Sequence, residues 1–511
     1  MTFLRDATPT GNSIMKPQST FSPAPLRFIA ALRGHSFRPA SPDFAYADAA
    51  CVDPESLICL AASNPEGRFY GFVADDTARR AAETLAAQRG VFNAIFLTGR
   101  ISEILARLNN GAVLPSMLDY LCCDESGSVL PDAERAALFD LAQNRLKPGG
   151  LLVTSYKPYD SDGGALRFLV RELAPEMNAD QKQTFLLEIR KLATGYLSRH
   201  PDIDAKLKDS IVKGTPDEFF ALFAQGAATS MTFDTKVAMT GRGMAYAGDA
   251  QLTSNYVELA VPADAQELVV RCRDHVLYEP IKDLALDRTV RSDIWVKPPF
   301  TLSSNAAELF GGFAYGITMP RDAVPSSFAA QGKTLDLSSP LYTKLIDLMA
   351  VLPVGVGDFL SHPSGQGENA DKVIAAIQIL VACGIAVPMR GKRAATNTAS
   401  VAQPRFVGSF NRYIDKTSVT NDDVWMASPV LGCGVKVTAR EALVMQALNR
   451  AGLANSVSAL MPELRRLAET GQASAILPMP TPTPEAVQEM VRDIVGQSLP
   501  QWYAYGMLEA A

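Results

Sequence analysis

The side chains that most often do chemistry are sparse in this sequence and do not gather. The seven cysteines (Cys51, Cys59, Cys122, Cys123, Cys272, Cys383 and Cys433) are odd in number and show no Cys-x-x-Cys spacing. Neither a disulfide framework nor a thiolate metal site is expected from them. The four histidines, His35, His200, His275 and His362, stand far apart, so neither metal catalysis nor histidine-assisted nucleophilic catalysis is expected. What remains are carboxylates and tyrosines just after short apolar runs: Asp48, Asp124 with Glu125, the pair Asp75 and Asp76, and Tyr156 with Tyr159. For Asp48 a ligand role and a strand-end cap stand level, and for Asp124 with Glu125 a pocket role stands level with an exposed acidic loop. A tyrosine there either lines a dry pocket or packs the domain edge. Cys51 has no cationic neighbour in sequence to lower its pKa, which favours a buried structural thiol.

These residues need a scaffold that brings strand ends together. From Phe44 to Val153 short apolar strands alternate with helical stretches. Strands are expected at Phe44–Ala47, Arg68–Val73, Ala94–Leu97, Met117–Cys122 and Leu151–Ser155. Helices are expected at Glu55–Ala62, Asp76–Arg89, Ile101–Leu108 and Asp132–Arg145, the last closed by a turn at Lys147-Pro148-Gly149-Gly150. This alternation predicts a parallel sheet covered on both faces, with ligands beyond the carboxyl ends of its strands, near the switch in strand order.

The rest of the chain reads differently. Residues 165–224 are amphipathic and helical, and 226–261 are mixed. A helix is expected over Tyr278–Asp293, with its lysine and arginine on one face, and a strand over Trp295–Lys297. Residues 320–338 read as loop. Helices at Leu341–Met349, Val356–Leu360 and Ala370–Cys383, then a strand at Ile385–Met389, trace the outline of a winged helix. Residues 394–405 are polar, and the last seventy or so are helical, interrupted by the prolines of Leu477–Pro482.

Composition narrows the function classes. Of 511 residues, 47% are hydrophobic and 20% charged, the balance of a globular protein with a large core. A net charge of −6 gives no basic footprint for nucleic acid. No apolar run approaches the ~20 residues of a membrane span, and residues 1–20 read as a disordered tail rather than a signal peptide. A reducing, cytoplasmic setting is expected.

Four stretches, in order, resemble a known family. They are Ala45-Tyr-Ala-Asp-Ala-Ala-Cys-Val-Asp-Pro54, then Leu118-Asp-Tyr-Leu-Cys-Cys-Asp-Glu-Ser-Gly-Ser-Val-Leu-Pro131, then Leu151-Leu-Val-Thr-Ser-Tyr-Lys-Pro-Tyr159, and finally the segment from Glu279 through Arg288 and Arg291 to Trp295. Together they resemble the bacterial methyltransferases that include the rickettsial protein lysine methyltransferases. The order and spacing of the stretches carry the resemblance, which runs from about Phe21 through most of the chain. It implies an α/β fold: a Rossmann-like class I methyltransferase domain, a helical and mixed regulatory domain, and a winged-helix-like C-terminal domain. The corresponding division is 1–20 tail, 21–164 methyltransferase domain, 165–213 helical connector, 214–300 methyltransferase regulatory domain, 301–340 linker and 341–511 C-terminal domain.

The resemblance also implies S-adenosyl-L-methionine as cofactor and residues to hold it: Asp48, Ala50, Cys51, Asp53, Val73, Asp75 and Asp124, with Tyr156 and Asp124 as the catalytic pair. Measured against the family pattern, the site is eroded. Glycines that let backbone approach the methionine end are replaced by Ala50, Val52 and Pro54. Valine is costly where φ must be positive, and proline removes an N–H. The acidic residue expected to take the ribose hydroxyls is Val73, with Asp75 and Asp76 two and three positions on. The third carboxylate is absent from Leu97-Thr98-Gly99-Arg100. Two functions follow. One is a methyltransferase acting on a protein lysine, where tyrosines would line a dry, aligned amine channel. The other is a catalytically silent relative that binds a protein partner or an active paralogue. A third reading, nucleic-acid binding through the winged helix, is opposed by the acidic charge. A homodimer is compatible with the sequence.

Overall fold

The computed structural model describes residues 21–37, 43–108, 117–124, 130–159, 164–225, 229–317, 319, 321–390, 404–416, 424–451, 460–464, 466 and 484–510. The expected tail 1–20, Glu125, residues 394–403 of the polar stretch and the proline run lie outside them.

A seven-stranded sheet organises the first 300 residues. Its strands are β1 (Ala45–Asp48), β2 (Arg68–Val73), β3 (Ala94–Thr98), β4 (Leu118–Asp124), β5 (Leu146–Tyr156), β6 (Ala245–Asp249) and β7 (Arg291–Val296), in the spatial order β3-β2-β1-β4-β5-β7-β6. The first five run parallel, and β7 is antiparallel to both neighbours. The connecting helices are α2 (Pro54–Ala62), α3 (Asp76–Gln88), α4 (Ile101–Leu108) and α5 (Asp132–Arg145). One face of the sheet packs Tyr46, Leu57, Phe69 and Phe96 together. The other packs Tyr70, Phe72, Ile104 and Leu138. The β1 and β4 runs are apolar almost throughout because both their faces are covered.

The Lys147–Gly150 segment is strand, not the expected turn. The β4–β5 register jumps between Leu118↔Leu146 and Tyr120↔Leu151. Gly149 sits at φ 75° in this bulge, and a Cβ on Gly150 would lie 2.9 Å from the Lys147 carbonyl oxygen. The two glycines allow the strand to continue.

The expected helix over 278–293 is divided. A helix, α6, covers Tyr278–Ala285, and Asp287 turns the chain at φ 52° before β7. Tertiary pairing of the β-rich run Ile294-Trp295-Val296 between β5 and β6 overrides the helical pattern. Strands β6 and β7 lie beyond residue 164 in sequence, yet they complete the same sheet as β1–β5.

Helices from Gly164–Leu173 to Pro216–Phe223 form their own core, with Leu169, Leu186, Leu207 and Phe219 at its centre. Further on, β8 (Ala314–Ile317), α7 (Pro340–Val351), β9 (Val354–Gly355), α8 (Val356–Ser361), α9 (Ala370–Ala382) and β10 (Ala386–Met389) build three helices against a sheet of order β9-β8-β10. The stretch 320–338, expected as loop, carries a hairpin of Ser327–Ala330 with Lys333–Asp336. The first helix, α1 (Pro23–Leu32), joins the parts. Leu26 and Ile29 face the large sheet's core, while Phe28 meets Phe310 at 5.4 Å. The C-terminal residues Phe410, Val435 and Trp502 share the core of α2 and β2. No helix among the described residues is long and apolar enough to cross a membrane.

Candidate functional site at the switch point

Strand order reverses between β1 and β4, whose carboxyl ends carry Asp48 and Asp124. Asp48 lies opposite Cys122, and Asp124 opposite Ser155. This is the crevice where open α/β sheets take ligands. The Asp48 side chain is 2% exposed. Burial pushes its pKa up to about 7; the Ala50 N–H acts in the opposite direction, and the nearby charges of Asp124 and Asp53 add to the rise.

The loop after Asp48 closes its own hydrogen bonds. Ala49 N donates to Cys122 O at 2.7 Å, Cys51 N to Phe72 O at 3.0 Å, and Val52 N to Ala50 O at 2.8 Å, a three-residue turn. Ala50 N donates to Asp48 Oδ1 at 3.1 Å. Among the described residues the non-glycine positions of positive φ are Asp287 and Gln331, so none lies in this loop. Two sequence expectations are thereby corrected. Val52 bears no left-handed strain, and its side chain is 78% exposed rather than crowding the crevice. Pro54 occupies the first turn of α2, where its missing N–H would have no helical partner anyway. Asp53 is the N-cap of that helix, accepting from Glu55 N at 3.1 Å and from the Ser56 hydroxyl. Cys51 is buried beside Gly71. Burial, then the charges of Asp48 and Asp53, hold its thiol well above the ordinary range, so it is unreactive.

At the end of β2, Val73 points into the core. Asp75 caps α3 through Ala78 N at 2.8 Å. Asp76 is bound to Arg79 at 3.1 Å and to the Thr98 hydroxyl at 3.0 Å, and these bonds draw its pKa down. After β3, Arg107 donates to Thr98 O, and Arg100 N donates to Glu103 Oε2 at 3.1 Å. An open cleft of about 830 Å³ lies here, lined by Asp75, Asp76, Arg79, Leu97, Thr98 and Glu103 among others.

On the other side of Asp124, the tyrosines expected to line a channel are engaged elsewhere. Tyr156 is buried and donates its hydroxyl hydrogen to Asp293. Tyr159 donates to Pro280 O at 2.8 Å. Asp293 belongs to a buried ionic cluster, where the sequence predicts one long helix with its lysine and arginine on one face. Arg291 reaches Asp293 at 2.6 Å, Asp283 at 2.7 Å and Glu279 at 2.7 Å. It also donates to the Tyr246 hydroxyl at 2.7 Å. Lys282 reaches Glu279 at 2.8 Å. Burial opposes the charged form of Glu279, yet Arg291 and Lys282 together hold its carboxyl well below the usual range. Burial raises Asp283, and raises Asp293 to about 6, because each relies chiefly on Arg291. The apolar, β-branched character of residues 294–296 was the available sign that a strand, and hence burial, began here.

Residues 222–297 match the family described as "Predicted methyltransferase regulatory domain". Over 96% of this chain and 98% of the other, the structure is similar to that of PKMT2 from Rickettsia typhi, with a TM-score of 0.62 and 15% identity. The fold is that of a methyltransferase. PKMT2 in complex with AdoHcy matches equally well, at 16% identity. The uncharacterized protein sll1526 of Synechocystis sp. is 20% identical over 422 residues, 80% of each chain. In this fold β1, β2, β3 and β4 present the ends at which the resemblance places S-adenosylmethionine. The described residues do not fit that group. The N–H groups of Ala49 to Val52 are already spent, the end of β2 carries Val73, and the carboxylates of Asp75 and Asp76 serve a helix cap and an ion pair.

Proposed function

We propose that this methyltransferase-fold protein has lost the ordinary cofactor site and acts by binding a protein partner. The loop after Asp48 carries the reading. A ligand that needs those backbone donors would have to break four internal hydrogen bonds, each costing about 1 kcal/mol net, and would meet no carboxylate at Val73. Calorimetric titration with S-adenosylmethionine tests it. No heat is expected at high micromolar ligand. Saturable heat of binding from the parent in that range would refute the reading. The segment from β8 to β10 supports a winged-helix-like unit, which in this reading serves protein contacts.

The second reading is an S-adenosylmethionine-dependent methyltransferase acting on a protein lysine. Its support is the retention of Asp48 and Asp124 at the two switch-point strand ends, together with the near full-length similarity to PKMT2. Methyl groups appearing on a lysine-containing protein, detected by mass spectrometry with the cofactor present, would favour it.

A further inference from the structure

We infer that the ionic cluster around Arg291 carries one proton shared between Asp283 and Asp293, and that this proton latches the helical unit to the sheet. The inference does not depend on the state of the cofactor site. Helix α6 stands between the two bodies. Its Ile281, Leu284 and Ala285 lie in the helical core with Leu169 and Leu186. Its Glu279 and Asp283 reach Arg291 of β7, and its Lys282 reaches Glu279.

The charges of this cluster do not balance. Three carboxylates, Glu279, Asp283 and Asp293, face two cations, Lys282 and Arg291, and all five side chains are buried. The neighbouring elements do not make up the difference. Arg288 is spent on Asp249 of β6 at 2.6 Å. Arg33, at the end of α1, lies 3.8 Å from Glu279, but its side chain is 38% exposed and water screens it. Tyr246 of β6 accepts from Arg291, and Tyr278 lies 5.4 Å from the Lys282 ammonium. Burial holds both phenols above their ordinary range, so both are neutral. A buried carboxylate without its share of positive charge is relieved by taking up a proton.

The hydrogen bonds say where the proton resides. Glu279 has only cations on its oxygens: Arg291 and Lys282 on Oε2, Arg33 on Oε1. Asp283 and Asp293 each carry the guanidinium on one oxygen and a hydroxyl on the other. The hydroxyl is that of Thr232, at 2.7 Å, for Asp283, and that of Tyr156 for Asp293. A hydroxyl donates or accepts, so it can meet a carboxylate or a carboxylic acid; an arginine N–H can meet only the first. Burial raises both aspartates in agreement, Asp293 to about 6, whereas Arg291 and Lys282 overcome burial at Glu279 and hold it low. Release of the proton leaves a net negative charge shut between α6 and β7, and parting the two lets water reach it. An opened carboxyl ionises near about 3.9. The latch is therefore tight while the proton is held, and slackens as pH rises through about 6.

Hydrogen exchange of the full chain between about pH 5 and 8, corrected for the chemical rate, tests this. It is carried out in the Asp48→Asn background, which removes the separate titration of that buried carboxyl. Protection of the amides in Tyr278–Ala285 is expected to fall about tenfold across the range, most of it below about pH 7. Asp293→Asn restores the charge balance and keeps an acceptor for Arg291, so the fall is expected to vanish. Lys282→Met removes a cation and is expected to move the step to higher pH. It decides the matter should Asp293→Asn fail to fold. Level protection in the Asp48→Asn background, a step unaltered by Asp293→Asn, or a step left at the same pH by Lys282→Met overturns the proposal.

Discussion

Tyr156, the last residue of β5, donates its hydroxyl hydrogen to Asp293 of β7, and so ties the end of the parallel sheet to its antiparallel return. The other oxygen of Asp293 is held by Arg291 at 2.6 Å. Tyr156→Phe keeps the ring and removes one partner of a buried carboxylate. Because that hydrogen bond acts to lower the Asp293 pKa, its loss pushes the carboxyl further toward the protonated form. Urea unfolding is expected to show a loss of about 1–3 kcal/mol, the cost of an orphaned buried polar group. A change within about 0.5 kcal/mol, typical of surface substitutions, would contradict this role.

Arg291 is the hub of the same cluster, with Asp283, Asp293 and Glu279 around one fully buried guanidinium. Arg291→Met leaves Asp283 and Asp293 without their main cation, while Glu279 retains Lys282. Removing one partner of a buried ion pair costs about 3–5 kcal/mol. Thermal unfolding is expected to drop accordingly, or the variant to be recovered only as aggregate. Arg291→Lys should rescue little, because a single ammonium cannot serve three carboxylates in a fork geometry. Recovery of parental stability by lysine would show that charge alone suffices.

Asp48 makes stability depend on pH in a definite direction. In the unfolded chain an aspartate ionises near about 3.9; in the folded protein burial raises Asp48 to about 7. Between those values the folded state holds a proton that the unfolded state has released. Its contribution is therefore complete below about pH 4 and is lost as pH rises toward 7. Asp293, raised to about 6, acts in the same sense over a narrower window. Asp48→Asn retains an acceptor for Ala50 N and cannot ionise. Its stability relative to the parent is expected to rise between pH 4 and 7, by on the order of 2–4 kcal/mol, and then level off. Denaturation curves that stay parallel over that range would contradict the assignment.

The strand at Arg68–Val73 and the helices at Ile101–Leu108 and Asp132–Arg145 were expected at their observed bounds, because each is a short periodic run set off by turn or capping residues. The acidic strand ends Asp48 and Asp124 were legible for the same reason. The Tyr278–Val296 region was not. Its charges read as one face of a helix, and only the pairing of β7 with β5, which lies over a hundred residues earlier in the chain, reveals that Lys282 and Arg291 are buried. The roles of Val52 and Pro54 were also hidden. Substitution against a glycine pattern signals strain only if the backbone stays the same, and here the loop adopts a course with no left-handed residue and places Pro54 inside a helix. Asp75 has the spacing of a ligand carboxylate and of an N-cap alike, and the sequence cannot separate the two.

Arg89 offers a last test, of how the C-terminal region is held to the sheet. At the end of α3 its guanidinium lies 5.0 Å from the Phe410 ring and 4.5 Å from the Tyr413 ring, and it reaches Glu55 of α2 at 2.5 Å. The side chain is only 13% exposed, so both cation–π contacts are partly desolvated, where each is worth about 1–2 kcal/mol. Arg89→Ala is expected to cost about 2–4 kcal/mol or somewhat more, since lost packing of the aliphatic stem adds to the lost ring contacts. The sharper readout is hydrogen exchange. If Arg89 clamps this segment, amides in Gly408–Arg412 should exchange faster in the variant while those of β1 and β4 stay protected. Uniform acceleration across the sheet would instead mean that the substitution lowers global stability without releasing the C-terminal region.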